Sequence, residues 1–217
     1  MQLKEGASVY TSDGRKVGKI DRVVIDPKTK EVIGIAILKD GLLPEDKIVH
    51  ISLIGAATED RVTLRLREDK LDQLPEFEET HYIPLTGDDK DLPVKYSDAV
   101  YWYPPLGAGW WDFPTFLGIP NPPYAVETKR NIPEDAVPLK ERAKVIAADN
   151  KHVGNVKEIL TDALTDRVTH IIITEGVLFK EQKLIPISWV GRITEDAVYL
   201  HVTSKLLEDL HEYRPTP

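Results

Sequence analysis

Alternating apolar and polar positions predict short β-strands in the first third of the chain. Residues 17–26, VGKIDRVVID, alternate and then run continuously apolar, and residues 31–38, EVIGIAIL, are rich in β-branched side chains. Both patterns are typical of strands with one or both faces buried. The turn at 26–30 separates them, and two further strand patterns follow at 47–54 and 61–66. Strands spaced at about 8–12 residues indicate a small barrel or sandwich.

The same pattern occurs a second time, because the chain matches itself without a gap at an offset of 136 residues. Residues 3–74 align with residues 139–210, and about a third of the aligned pairs are identical. This offset is far longer than the 20–50 residues of a solenoid repeat, so each copy is predicted to be a small domain. Gly18 aligns with Gly154, and a glycine inside a strand pattern marks a bulge, a bend or a close backbone approach. We therefore predict structural roles for both glycines.

Each copy ends in a short predicted helix, at 67–74 and 203–210, where leucines recur at positions i and i+3. The repeat divides the chain into a first barrel at 1–74, a linker at 75–138 and a second barrel at 139–217.

A copy of about 70 residues buries too little apolar surface to be robust alone. We therefore expect the two copies to pack against each other as a pseudo-twofold pair, with the equivalent strands 47–54 and 183–190 near the contact. Closing each sheet into a barrel would also remove exposed strand edges.

The motifs of the two copies resemble those of the PRC-barrel family. They include a strand that begins Val-Gly, an Asp-containing turn, a Lys-x-Ile-Pro-Ile-Ser strand at 183–188 and a Glu-Asp hairpin before the last strand. The second copy is the closer match, since His50 replaces the usual proline in the first. The family is named for the cytoplasmic domain of the photosynthetic reaction-centre H subunit and includes a domain of a ribosome-maturation factor. The resemblance implies a mainly β fold with two small barrels in tandem, used as assembly or adaptor modules without a shared catalytic site.

The linker, residues 75–138, differs from the repeats in composition. It holds 11 of the 16 prolines, 11 of the 16 Phe, Trp and Tyr residues, and −7 of the net charge of −8. Proline at this density excludes a long helix or a central strand, whereas a disordered tether would be poor in aromatic residues. We therefore expect the aromatic arm, residues 96–124, to be ordered and packed against something.

The aromatic arm has two alternative roles. It is either a brace on its own barrels or a recognition element that docks on a second copy or a protein partner. Burial of each large aromatic side chain stabilises by roughly 1.5–3 kcal/mol in either case, and proline pairs beside Trp and Tyr suit both roles. The candidate partner-binding residues are Trp102, Trp110, Trp111, Phe113 and Phe116.

Composition narrows the chemistry further. The chain has no cysteine, which excludes disulfides, thiolate metal sites and a cysteine nucleophile. Its six histidines form neither HxH nor HxxxH, and Ser52 and Ser188 lack a GxSxG elbow, so we assign no catalytic, metal-binding or cofactor-binding residue. Asp26 and Asp162 lie in turns, where aspartate caps its own backbone. A net charge of −8 with a pI near 5.3 disfavours nucleic acid and anionic lipid as partners.

Three functional hypotheses follow. The leading one is a non-catalytic adaptor or assembly protein that binds a protein partner or itself through its barrels and aromatic arm. The second is an accessory protein like the reaction-centre H subunit, linked to photosynthetic electron or proton transfer at the cytoplasmic membrane face. The third is an enzyme or small-ligand binder with a pocket between the barrels. The start lacks a secretory signal, and no apolar run approaches the ~20 residues of a membrane span, so we expect a cytoplasmic protein.

Overall fold

The structure is a computed structural model of the 217-residue chain, and it describes residues 1–39, 46–84, 124–140, 142–175 and 181–214. The chain divides into two compact units. The first unit combines Met1–Phe77 with Ile132–Pro217, and the second is Glu78–Asn131. Both repeats therefore belong to one unit, and most of the linker forms the other.

The first repeat forms a sheet followed by a short helix. Its elements are β1 (Gln2–Lys4), β2 (Ser8–Tyr10), β3 (Lys16–Ile25), β4 (Val32–Lys39), β5 (Asp46–His50), a 3₁₀ turn (Ile51–Leu53), β6 (Ile54–Thr58), β7 (Arg61–Leu64) and α1 (Glu68–Leu71). The strand order is β5-β4-β3-β2-β7-β6. Strands β2 and β7 are parallel, and the other neighbours are antiparallel.

The linker contributes two strands at its ends, β8 (Glu78–Pro84) and β9 (Tyr124–Arg130). They pair antiparallel, with Glu78 opposite Arg130 and Pro84 opposite Tyr124. The Arg130 guanidinium donates to the Glu78 carboxylate at 3.0 Å, which joins the two strands at one end. The sequence gives no indication of this pairing, because the ends of the two strands are about 40 residues apart along the chain.

The second repeat copies the first. Its elements are β10 (Val137–Lys140), β11 (Lys144–Ile146), β12 (His152–Thr161), β13 (Val168–Glu175), β14 (Glu181–Pro186), a 3₁₀ turn (Ile187–Trp189), β15 (Val190–Ile193), β16 (Ala197–Leu200) and α2 (Ser204–Glu208). The order β14-β13-β12-β11-β16-β15 matches that of the first repeat, element for element. The structure confirms a mainly β fold with two tandem domains, each ending in a short helix.

The first strand of each repeat lies in the sheet of the other. Strand β1 pairs with β12, with Leu3 opposite Ile159, and β10 pairs with β3, with Leu139 opposite Val23. Leu3 aligns with Leu139 in the repeat, and Val23 aligns with Ile159, so the two pairings are pseudo-symmetric. Each repeat thus completes the sheet of its neighbour by reciprocal strand exchange, a connection that the sequence pattern does not predict.

A second symmetric contact joins the turns that follow β3 and β12. The Val32 amide donates to the Asp166 carbonyl at 3.0 Å, and the Val168 amide donates to the Lys30 carbonyl at 2.9 Å. Both pairs are related by the 136-residue offset. The repeats therefore form the expected pseudo-twofold pair. The strands β5 and β14 pair with β4 and β13 of their own repeats, so the strand pairing between the copies is made by β1 and β10 and not by 47–54 and 183–190.

The interior of the first unit is a continuous aliphatic core that includes residues of both repeats. The exchanged leucines Leu3 and Leu139 are 1% and 0% exposed. Full burial of a leucine side chain stabilises by roughly 1.5–3 kcal/mol. The exchange therefore rests on apolar packing as well as on strand hydrogen bonds.

Gly18 and Gly154 occupy equivalent places at irregularities in the strand pairing. Val9 lies opposite Gly18 and Val145 opposite Gly154, and the register shifts by one residue directly after each pair. A Cβ on Gly18 would lie 2.2 Å from the Leu38 carbonyl oxygen. Backbone atoms cannot yield as the end of a flexible side chain can, so the close approach of β4 requires glycine in β3.

Candidate functional site

The aromatic residues that are predicted from the sequence to bind a partner lie outside the described residues. They are Trp102, Trp110, Trp111, Phe113 and Phe116. The described part of the chain instead brings charged residues together at the two places where an exchanged strand crosses between repeats. We call these places the first and second crossover clusters.

The first crossover cluster consists of Asp21, Arg22, Lys140, Glu195 and Asp196. The pairing of β10 with β3 places Lys140 opposite Arg22, and the turn between β15 and β16 supplies the last two carboxylates. Lys140 Nζ lies 2.9 Å from Glu195 Oε1 and 3.2 Å from Asp196 Oδ1. Arg22 donates from Nη1 to Glu195 at 2.5 Å and from Nε to Asp21 at 2.9 Å. Every charge in this cluster has an opposite partner.

Aromatic packing completes the first crossover cluster. The Arg22 guanidinium lies 5.1 Å from the centre of the Phe77 ring, and Phe77 is fully buried together with Val24 and Ala36 in a cluster separate from the main core. A cation over an aromatic face is attracted by the ring quadrupole. Arg22 is therefore held by two carboxylates and one ring, with its side chain 16% exposed.

The second crossover cluster consists of Lys4, Glu59, Asp60, Lys157 and Glu158, which align with the members of the first. Strand β1 places Lys4 opposite Glu158, and the turn between β6 and β7 supplies Glu59 and Asp60. Lys4 Nζ lies 2.8 Å from Asp60 Oδ1 and 3.3 Å from Glu59 Oε1. Lys157 Nζ lies 3.0 Å from Glu59 Oε1. Glu59 thus links a lysine of each repeat.

The two clusters differ in the order of charge at one bulge. Asp21 and Arg22 of β3 correspond to Lys157 and Glu158 of β12, so both signs are inverted. The cation still reaches the carboxylate of the neighbouring turn in each cluster. The inversion leaves Glu158 buried, at 3% exposure, with no hydrogen-bond partner for Oε1 among the described residues.

The contacts within the crossover clusters shift the pKa values of their carboxyl and ammonium groups. The hydrogen bond from Lys157 is the main cause that lowers the pKa of Glu59. The hydrogen bond to Asp60 raises the pKa of Lys4, and the hydrogen bond to Glu195 raises that of Lys140. Burial is the main cause that raises the pKa of Glu158, and the nearby Glu59 carboxylate adds to it. The ion pairs of Lys4, Glu59 and Lys140 therefore keep these groups charged where the two repeats meet.

The turn aspartates act as backbone caps. Asp26 Oδ1 accepts from the Lys28 amide at 2.7 Å, and Asp162 Oδ1 accepts from the Leu164 amide at 2.9 Å. These backbone hydrogen bonds are the main cause of the lowered pKa of both carboxyls. Their geometry agrees with the structural role that the sequence predicts for them.

The described residues contain no group of three or more His, Asp or Glu side chains that could hold a metal ion. A shallow depression of about 160 Å³ lies beside α1 and is lined by Lys16, Val17, Lys39, Glu68, Leu71 and Asp72. Small-molecule sites usually measure roughly 300–1,000 Å³, so this depression is small for one. Within the same part of the chain, every helix is too short or too polar to span a bilayer.

The crossover clusters have only a weak sequence signal. Glu59-Asp60 and Glu195-Asp196 recur at the repeat offset, which indicates a shared role but does not name their partners. Those partners lie on the other repeat, across the exchanged strands. Only the topology brings them together.

Comparison with known proteins supports the fold. The family model of the PRC-barrel domain matches residues 5–71 and again residues 141–207. No curated protein matches the chain. The two matches cover more than half of the chain, and they contain β2 to β7 of the first repeat and β11 to β16 of the second. The chain therefore belongs to the PRC-barrel family, with two copies of the domain in tandem.

Proposed function

We propose that this protein is a non-catalytic adaptor or assembly protein that binds a protein partner, or a second copy of itself, through its barrel surfaces and the aromatic arm. The observation that carries the proposal is the filled interior of both domains. Val9, Ile35 and Val62 of the first domain and Ile171 and Ile185 of the second are at most 1% exposed. Aliphatic side chains packed to this degree leave binding to the outer surface.

The crossover clusters support the same function. Strand exchange and inter-repeat ion pairs such as Arg22–Glu195 and Lys157–Glu59 fix the two domains as a single body. A rigid body presents surface patches from both domains to one partner with little loss of conformational freedom on binding. This arrangement suits an assembly role.

The experiment compares the full chain with a Trp110→Ser/Trp111→Ser variant. Light scattering at 5–100 μM (about the range in which weak self-association shows) gives the mass of each, and affinity capture followed by reconstitution from purified components tests for a partner. A matched Trp189→Phe variant alters a half-buried core tryptophan but leaves the arm intact.

The proposal predicts a stoichiometric complex, with itself or with a purified partner, that the arm variant loses and the Trp189→Phe variant keeps. Equal melting temperatures for the wild type and the arm variant would show that the loss concerns binding and not folding. A wild-type chain that stays monomeric at the highest concentration and reconstitutes with no captured protein would contradict the proposal.

A further inference from the structure

The second crossover cluster contains a buried carboxylate that no ion pair of the described residues uses. Glu158 is nine-tenths or more buried, and its Oε1 lacks a hydrogen-bond partner within the described ranges. A charge buried without a partner is strongly disfavoured, whereas a protonated carboxyl carries no net charge. The aligned residue of the first crossover cluster, Arg22, is fully paired. The site is therefore specific to the second repeat.

The lysines beside Glu158 are engaged with other carboxylates. Lys4 lies opposite Glu158 in the pairing of β1 with β12, but its ammonium group binds Glu59 and Asp60. Lys157, the preceding residue, binds Glu59 at 3.0 Å. The two cations next to Glu158 are thus already shared among the carboxylates of the turn.

The remaining neighbours of Glu158 are an isoleucine, a histidine and two carboxylates. Its partner on β13 is Ile172, which is buried, and His170 lies two residues from Ile172 along the same strand and therefore on the same face. Glu59 and Asp60 face it from the turn between β6 and β7. Burial, and then the charge of Glu59, raise the pKa of Glu158 above the usual 4.5.

We propose that Glu158 is a proton-operated latch for the N-terminal strand, so that its neutral carboxyl permits β1 to dock on β12 and loss of the proton weakens that docking. Strand β1 lies directly beside β12 in the sheet, with Lys4 opposite Glu158. Undocking β1 would let water reach the carboxylate. The equivalent strand β10 docks against Arg22, whose charge is permanent and paired, so β10 has no such latch.

The direction of the pH effect follows from proton linkage. A carboxyl whose pKa is raised in the docked state binds its proton more tightly there than in the undocked state. Docking of β1 is therefore strongest at a pH below the pKa of undocked Glu158, and it weakens as the pH rises through the higher pKa of the docked state. Each unit of difference between the two pKa values changes the docking equilibrium about tenfold.

The test is hydrogen exchange of the full chain, read by mass spectrometry from about pH 4.5, near the ordinary pKa of a glutamate, to about pH 7, and corrected for intrinsic exchange rates. Peptides covering residues 1–9 report on β1, and peptides covering 137–146 report on β10. In the wild type, we expect protection of the β1 peptides to fall with rising pH, while protection of the β10 peptides stays constant. Constant protection of both would overturn the proposal.

Two variants sharpen the test. Glu158→Gln, which cannot ionise, should keep β1 protected at the wild-type low-pH level throughout. This variant retains His170, so a pH dependence that survives in it would come from elsewhere and would overturn the proposal. Glu134→Gln, at an exposed glutamate, should keep the wild-type profile. The wild-type comparison of β1 with β10 needs no variant, and constant protection of both strands there overturns the proposal even if Glu158→Gln does not fold.

Discussion

The two crossover clusters occupy equivalent positions and differ in the order of charge at one bulge. In the first, Arg22 joins the Glu195 carboxylate and the Phe77 ring. In the second, Lys157 joins Glu59, and Glu158 takes the position of Arg22 without a partner for Oε1 among the described residues. The backbone topology is the same in both, since β10 on β3 and β1 on β12 share one register. The exchange of strands is therefore compatible with either order of charge.

This comparison separates an apolar from an electrostatic contribution to the interface between the two repeats. The apolar contribution is symmetric, because Leu3 and Leu139 are buried to the same extent. The electrostatic contribution is asymmetric, because all charges are paired in one cluster and one carboxylate is left over in the other. Substitutions that test the apolar contribution should have equal effects in both repeats, and those that test the charges should not.

The largest expected effect is the loss of an exchanged leucine. Leu3→Ala and Leu139→Ala should each lower the free energy of unfolding by about 2–5 kcal/mol, because each leaves a cavity in a packed core. Urea denaturation of the full chain measures the effect. Leu164→Ala, at a turn residue that is 93% exposed, is the control and should change stability by less than about 0.5 kcal/mol. A large effect at one leucine and none at the other would break the symmetry claimed for the exchange.

The glycines at the bulges come next. Gly18→Val should destabilise by roughly 1–3 kcal/mol, because the added side chain meets the Leu38 carbonyl and forces β3 and β4 apart. Gly154→Val should behave alike if the bulges are equivalent. Thermal melts of the two variants measure this. Unchanged melting temperatures for both would refute a structural role for the glycines.

Removing one cation from each cluster should expose their difference. Arg22→Met should cost about 1–3 kcal/mol, because it removes charged hydrogen bonds in a largely buried setting. Lys157→Met should cost less, roughly 0–1 kcal/mol, because Glu59 is 39% exposed and retains Lys4. Equal losses in chemical denaturation would contradict the assignment of unequal roles to the two cations.

The smallest effect is expected from exchanging the charge order. A Lys157→Asp/Glu158→Arg variant gives the second cluster the order of the first. We expect a gain of at most about 1 kcal/mol at pH 7, because the new guanidinium can reach Glu59 and the unpaired carboxylate is gone. Loss of stability at pH 7 in a variant that still folds would show that the order of charge is not what distinguishes the clusters.

The sequence predicts the elements of this fold but not their connection. Strand periodicity in residues 17–26 and 31–38 corresponds to β3 and β4, and leucine spacing at 67–74 locates α1. The first strands of the repeats share the sequence Leu-Lys at Leu3 and Leu139. Local pattern therefore cannot tell whether β1 belongs on β3 or on β12, because the two partners are themselves alike.

The crossover clusters cannot be predicted either, because their contacts depend on which repeat the first strand pairs with. The ion pair between Arg22 and Glu195 joins residues 173 positions apart, and no local spacing encodes such a contact. The turn caps Asp26 and Asp162 were accessible to prediction because their partners lie two or three residues away. The features that the sequence predicts are therefore local. The contacts that it does not predict depend on the exchange of strands between the repeats.

Cysteine cross-linking tests the strand exchange most directly, because the natural chain has no cysteine. Gln2 lies opposite Leu160 in the exchanged pairing, and Val24 is the equivalent of Leu160 in the first repeat. Under mild oxidation, the exchange of strands predicts that Gln2→Cys/Leu160→Cys forms a disulfide within a monomeric chain and that Gln2→Cys/Val24→Cys does not. Mass spectrometry of the unreduced digest identifies the link. Efficient cross-linking of the second pair and none of the first would show that β1 stays in its own repeat and would contradict the exchange.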